Sequence, residues 1–496
     1  MIRSWRNLAF VLPIVLATAC STSTEDAASG EDDLNYRSTA GQEYSLSTDL
    51  VLPMPADIAA MPAGADRDKA LSLKADDIRN TVTTAIVAEL DKMWPEDART
   101  NGGTGVAVEY RQATPSVKDI KVSDDGKSIS FTVSAEFAGE KDLDKKLPMK
   151  TEGQKTFFPV PADLGSGATT LEITVTPIER SLNAYPKYLD MFADGLDIYV
   201  HVGGDHDTPP QDIAHARSVY DDMLASGFKS PVARFEDLKI DTAPLTSTIK
   251  VKDADVQVRV KIVHVDMSTP DTRQILIDAY KAAAKTADVV IYDGHAGRQL
   301  TYSGVVVAYN PARVALPASE FKNMDVTDKQ QLYLFNGCET YTGYADSLYE
   351  NPKKNTTNTD VITTGNFSAI QPKANQVLAF IHSLIDQKNG AWIPRSWDSV
   401  LGKMNAVGEE SWIHVYGVHG IDDDPKASPL ADPSKVGVAC QSDAECGAAD
   451  SKCVRVTSTK QVCGIACADS SGCPNGTKCL LPKGKVSSDD MQCLAN

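Results

Sequence analysis

Two stretches decide the fold, Asp288-Val-Val-Ile-Tyr-Asp-Gly-His-Ala-Gly297 and Gln331-Leu-Tyr-Leu-Phe-Asn-Gly-Cys-Glu-Thr340. Residues 289–292 and 332–335 are short, unbroken apolar runs, the pattern of strands buried on both faces of a parallel sheet. Gly294 and Gly337 then end them. In an open α/β sheet the functional groups gather beyond the carboxyl ends of the strands, so neighbouring strands would set His295 beside Cys338. A thiol beside an imidazole is a nucleophile with its base. The alternative is a structural cysteine and a core histidine that happen to end strands. The matched strand contexts and the cysteine count favour chemistry.

Outward from these strands, residues 186–425 alternate strand and helix. Strands are expected at 196–202, 247–251, 256–265, 360–364 and 412–418, with 247–265 as an antiparallel hairpin. Helices are expected at 212–227, from Pro270 to Thr286, at 375–388, and at 396–406 behind Ser396 as N-cap. The stretch between His295 and the second quoted strand reads as loop-rich. The alternation predicts an α/β fold with a doubly wound, mostly parallel sheet of about six strands. With sequential order 2-1-3-4-5, the 203–207 loop borders His295 at the switch point of the sheet.

A hydrophobic strand ending in a His-Gly element, about forty residues, and a second strand ending in a small residue and Cys resembles the caspase-like superfamily of cysteine peptidases. That superfamily includes caspases, gingipains, clostripain and legumain. The resemblance implies a caspase-like sheet over 186–425, a polypeptide substrate, Cys338 as nucleophile and His295 as base, with no cofactor and no metal. Two positions depart from the pattern: Ala296 stands between His295 and Gly297, where the family has Gly directly after His, and Gly337 stands where Ala commonly precedes Cys. Attack on a carbonyl builds charge on its oxygen, and the N–H groups of Cys338 and of Ala296 or Gly297 are the natural donors to it. In the similar caspases the loop after the first strand lines the primary specificity pocket with a basic residue. Asp205 or Asp207 would invert that preference toward Arg or Lys, as in gingipains and clostripain. The alternative is that these acids cap the next helix or face solvent.

At 496 residues the chain exceeds one compact core, and a formal net charge of −18 with no basic cluster argues against nucleic acid as a partner. Residues 1–20 resemble a lipoprotein-type export signal, with Arg3 and Arg6 ahead of a short apolar stretch and Leu16-Ala-Thr-Ala-Cys20 resembling a bacterial lipobox. Lipidation at Cys20 would tether the chain to a bacterial envelope membrane by lipid alone, through a flexible 21–45 segment. An ordinary secretory leader cut near Ala19 is the alternative. Residues 46–185 read as an α+β domain with a helix at 66–93 and a hairpin turn at Asp124-Asp-Gly126; without His or a nucleophile pattern, it suits a supporting or binding role.

Eight of the ten cysteines fall in 439–496, after a linker at 426–438. They form two similar units, Cys440, Cys446, Cys453 and Cys463, then Cys467, Cys473, Cys479 and Cys493. Each suits two disulfides, with three pairings open, and zinc is disfavoured because no C-x2-C spacing and no late His occurs. If Cys20 is lipidated, Cys338 is left as a thiol in an oxidising compartment, for which nucleophilic catalysis is a reason. His201, His264, His382 and His414 read as packed or surface imidazoles, and Asp422 to Asp424 as a solvated turn rather than a Ca2+ site. The expected function is a surface-tethered cysteine endopeptidase. The alternative from another class is a non-catalytic adhesion or recognition lipoprotein that binds an unknown partner through its Cys-rich tail.

Overall fold

The computed structural model describes residues 34–93, 108–165, 167–179, 181–206, 211–368, 375–408 and 415–495. The leader with Cys20, Asp207 and His414 lie outside the described residues. The chain is mixed α/β, with a mostly parallel sheet, an antiparallel sheet before it and a disulfide-rich region after it.

The five parallel strands lie in the spatial order Ala254–Val263, Leu196–Val202, Val289–Asp293, Gln331–Asn336 and Thr359–Thr364, which is 2-1-3-4-5 in sequence. Leu245–Val251 extends one edge antiparallel, and Tyr416–His419 followed by Arg37–Ser38 extends the other. Side chains alternate between the faces of a strand. Val289, Ile291, Leu332 and Leu334 therefore enter one core, beneath the helices Gln211–Ala225, Gln376–Ile385 and Trp397–Asn405. Val290, Tyr292, Tyr333 and Phe335 enter the opposite core, with Leu276, Ile277, Tyr280, Ala283 and Ala284 of the helix Gln274–Thr286. Both faces are apolar because both are covered, which is why these strands read as unbroken runs.

Two expectations within this region are corrected. The stretch between His295 and Gln331, expected to be loop-rich, carries an antiparallel hairpin, Gly304–Ala308 with Val314–Pro317, whose first strand is buried throughout and so shows no alternation. The helix expected at 375–388 ends at Ile385, because Asn389 and Gly390 both adopt positive φ and turn Gln387–Lys388 back onto Ala391–Trp392. An Asn-Gly pair at the two central positions is the favoured chemistry for such a tight hairpin.

The preceding antiparallel sheet packs under the helix Ala65–Asp91, which buries Leu71, Ala75, Ile78, Val82, Ile86 and Leu90 along one stripe. Its strand Gly41–Pro53 begins ahead of residue 46, and Tyr36 and Arg37 are buried against the large sheet. Residues 34–45 are thus packed structure rather than tether.

In the tail, the first Cys of each unit pairs with the third and the second with the fourth: Cys440–Cys453, Cys446–Cys463, Cys467–Cys479 and Cys473–Cys493. The expected linker is also packed, with Ser428 and Leu430 buried and Ala427 bridged to Cys467. Cys338 is the described cysteine outside any disulfide. Among the described residues, no helix is long and apolar enough to cross a membrane.

Candidate active site

The register of the two central strands brings the site together. Asp293 and Asn336 are paired across the sheet, and each is followed by Gly and then by the residue of interest, His295 or Cys338. The Gly294 N–H donates to the Asn336 carbonyl at 2.9 Å, and the Asn336 amide donates to the Asp293 carboxylate at 2.7 Å. Above these bonds the two loops touch. A Cβ added to Gly337 would lie 2.5 Å from the Ala296 Cβ and 2.7 Å from the Gly294 carbonyl oxygen. Below them, the Tyr292 hydroxyl donates to the His295 carbonyl at 2.7 Å and accepts from the Val306 N–H at 3.1 Å, tying the His295 loop to the hairpin.

The loop after Leu196–Val202 borders His295, as the strand order requires. Asp205 Oδ1 lies 3.4 Å from His295 Nε2, and Asp205 Oδ2 accepts the Gln211 N–H at 3.0 Å where the next helix begins. The Asp205 side chain is 2% exposed. Both of its oxygens are engaged inside the chain, one by the imidazole and one by the helix terminus. The His206 ring lies 4.7 Å from the His295 ring, and Tyr309 at the hairpin tip stands edge-on to both.

The Cys338 thiol donates to the Ser368 carbonyl at 3.7 Å. Ser368 and Tyr416 donate their hydroxyls to the Asn336 side-chain oxygen, and the buried His215 Nδ1 lies 2.5 Å from the Asp293 carboxylate. Burial pulls the His215 imidazole down, but the charge and hydrogen bond of Asp293 outweigh it and leave the pKa raised. A polar floor of Asp293, Asn336 and His215 thus lies beneath the two loops. Burial is the main cause that raises the hydroxyls of Tyr309 and Tyr344, and Cys338 is a lesser one in both, so both phenols lie within electrostatic range of that side chain. Of the backbone donors expected at an oxyanion, the Gly297 N–H is directed to the Tyr344 hydroxyl at 3.5 Å. Asp293 and Asn336 were missed as site residues. Their signal was the repeated strand ending, Asp-Gly-His and Asn-Gly-Cys.

The antiparallel domain grips both loops. Arg298, three residues after His295, pairs with Glu109 at 3.0 Å and Glu339 at 3.2 Å, and also with Asp91. Gln112 donates its backbone N–H to Thr342 and its side chain to the Arg298 carbonyl, while Arg111 holds Asp346 at 2.7 Å and Glu136 at 3.1 Å. Burial pushes the Glu109 carboxyl up to about 8 against the pull of Arg298, and the Glu43 carboxyl, beside Arg111, up to about 7.

The remaining candidates go elsewhere. His201 and His264 are buried away from the site, where burial pushes their imidazoles down to about 3 and about 4. His382 pairs with Asp222. Asp422, Asp423 and Asp424 meet Arg37, Lys187 and the Trp397 N–H, so each carboxylate of this acidic turn has a partner within the chain. No protein-family model, no curated protein and no solved structure matches this chain.

Proposed function

We infer that the chain is a cysteine endopeptidase of the caspase-like superfamily, hydrolysing peptide bonds with Cys338 as nucleophile and His295 as base. The observation that carries this is the register of the central strands: Asp293 pairs with Asn336, so His295 and Cys338 project from the same end of adjacent parallel strands on loops in contact. With His295 Nε2 facing Asp205, Nδ1 is the nitrogen left to take the thiol proton. Asp205 is then a positioning residue that holds the imidazole tautomer, and the expected Arg or Lys preference loses Asp205 as its carrier. The attacked carbonyl oxygen would be met by the N–H groups of Cys338 and Ala296, since that of Gly297 faces Tyr344.

The two departures from the family pattern account for each other. Where the family pairs His-Gly with Ala-Cys, this chain pairs His-Ala with Gly-Cys, and Gly337 leaves the room that the Ala296 methyl occupies. The test is covalent labelling with a peptidyl chloromethylketone of Arg or Lys and with one of Asp, followed by mapping of the modified residue. Label on Cys338, lost in His295→Ala, is expected. Absence of label with every peptide would favour the non-catalytic recognition lipoprotein.

A further inference from the structure

The peptidase reading uses His295 and Asp205 but gives no task to His206, the exposed imidazole whose ring lies tilted beside that of His295. One ring nitrogen of each histidine and one oxygen of Asp205 all lie within 4.8 Å of one another. The closest approaches converge on a single atom: Asp205 Oδ1 is 3.4 Å from His295 Nε2 and 3.9 Å from His206 Nδ1. Zinc binds nitrogen and oxygen ligands at about 2.0–2.2 Å, which sets neighbouring ligands of a tetrahedron about 3.3–3.6 Å apart. The His295–Asp205 separation meets that edge as it stands. His206 Nδ1, 3.9 Å from the same oxygen on a side chain that is 60% exposed, would have to close by about 0.5 Å to join it.

The donor types agree with the spacing. Two imidazoles and a carboxylate suit a borderline ion such as zinc, whereas calcium and magnesium take oxygen ligands. Asp205 is held against rotation by the Gln211 N–H on its other oxygen, so the carboxylate is already aimed. Three protein ligands leave a fourth position for water.

We propose that Asp205, His206 and His295 form a zinc site whose occupation reversibly switches off the peptidase. A zinc ion on Nε2 replaces the Asp205 hydrogen bond and fixes the tautomer that carries its proton on Nδ1. A protonated Nδ1 accepts nothing from Cys338, so the thiol keeps its proton and the nucleophile is lost. No bond to substrate is made or broken, and removing the metal restores the base.

The inhibitory half rests on the peptidase reading, whereas the site itself does not, and the experiment separates them. Cys338→Ala protein without an affinity tag is titrated with zinc sulfate against a chromophoric indicator, alongside the same protein carrying His206→Ala. One zinc per chain is expected, with affinity lowered at least tenfold by His206→Ala, since even loss of an outer-shell partner costs roughly 10–100-fold. Equal affinity in the two proteins, or no stoichiometric zinc, overturns the site. In protein that retains Cys338, zinc should slow chloromethylketone labelling and a chelator should restore it, with each variant compared with its own zinc-free rate. Labelling that proceeds unchanged with the site filled overturns the switch. Label on Cys338 in a protein that binds no zinc leaves the peptidase standing and removes the site. Zinc bound by a protein that never labels does the reverse.

Discussion

Gly337→Ala tests the geometry of the site with one methyl group. The added Cβ would stand 2.5 Å from the Ala296 Cβ and 2.7 Å from the Gly294 carbonyl oxygen. Carbon atoms pack at about 3.5–4.0 Å, so the two loops must separate by about 1 Å. Neither neighbour can rotate away, because one is a Cβ and the other is backbone held by the Gly294 N–H bond to Asn336. Overpacking of this kind costs about 1–3 kcal/mol of stability. The larger effect falls on chemistry, since a displacement of about 1 Å between reacting groups costs on the order of 10²-fold in rate. The expected result is kcat/KM on a fluorogenic peptide down about 10²-fold, with a modest fall in Tm. Adding Ala296→Gly removes the 2.5 Å contact but not the 2.7 Å one, so a double variant should recover part of the loss, about tenfold. Wild-type kcat/KM in Gly337→Ala, or no recovery in the double variant, would refute contact between the two loops as the basis of the site.

Asp205→Asn keeps an acceptor for the Gln211 N–H but loses the charge beside His295, so kcat should fall about 10²-fold with KM and Tm little changed. A parallel rise in KM would place Asp205 in the substrate pocket instead. Glu109 and Glu43, with carboxyls pushed up to about 8 and about 7, hold protons that the unfolded chain releases near its ordinary value of 4.5. The folded state binds more protons in that window, so stability falls as pH rises from about 5 to 8, and Glu109→Gln should flatten the dependence of Tm on pH. An unchanged slope in that variant would count against the buried carboxyls as its source. Cys20→Ala should move the chain out of the detergent phase in a partition assay; an unchanged distribution and no acyl mass would favour a plain secretory leader.

The central strands were legible in the sequence because burial on both faces writes itself as an apolar run, and their ends because Gly294 and Gly337 interrupt it. The pairing of the tail cysteines within two units was legible in count but not in connectivity, since spacing leaves every pairing open. Local chemistry alone therefore determined the positions of His295 and Cys338 along two strands and the existence of a stapled tail. Only the tertiary structure decided that Asp293 registers with Asn336, that Asp205 turns both oxygens inward, and that Arg298 joins both loops to the preceding domain. Each of these depends on at least one contact between residues far apart in the chain. Register and burial arise from packing between elements, and no single element carries that information in its own residues.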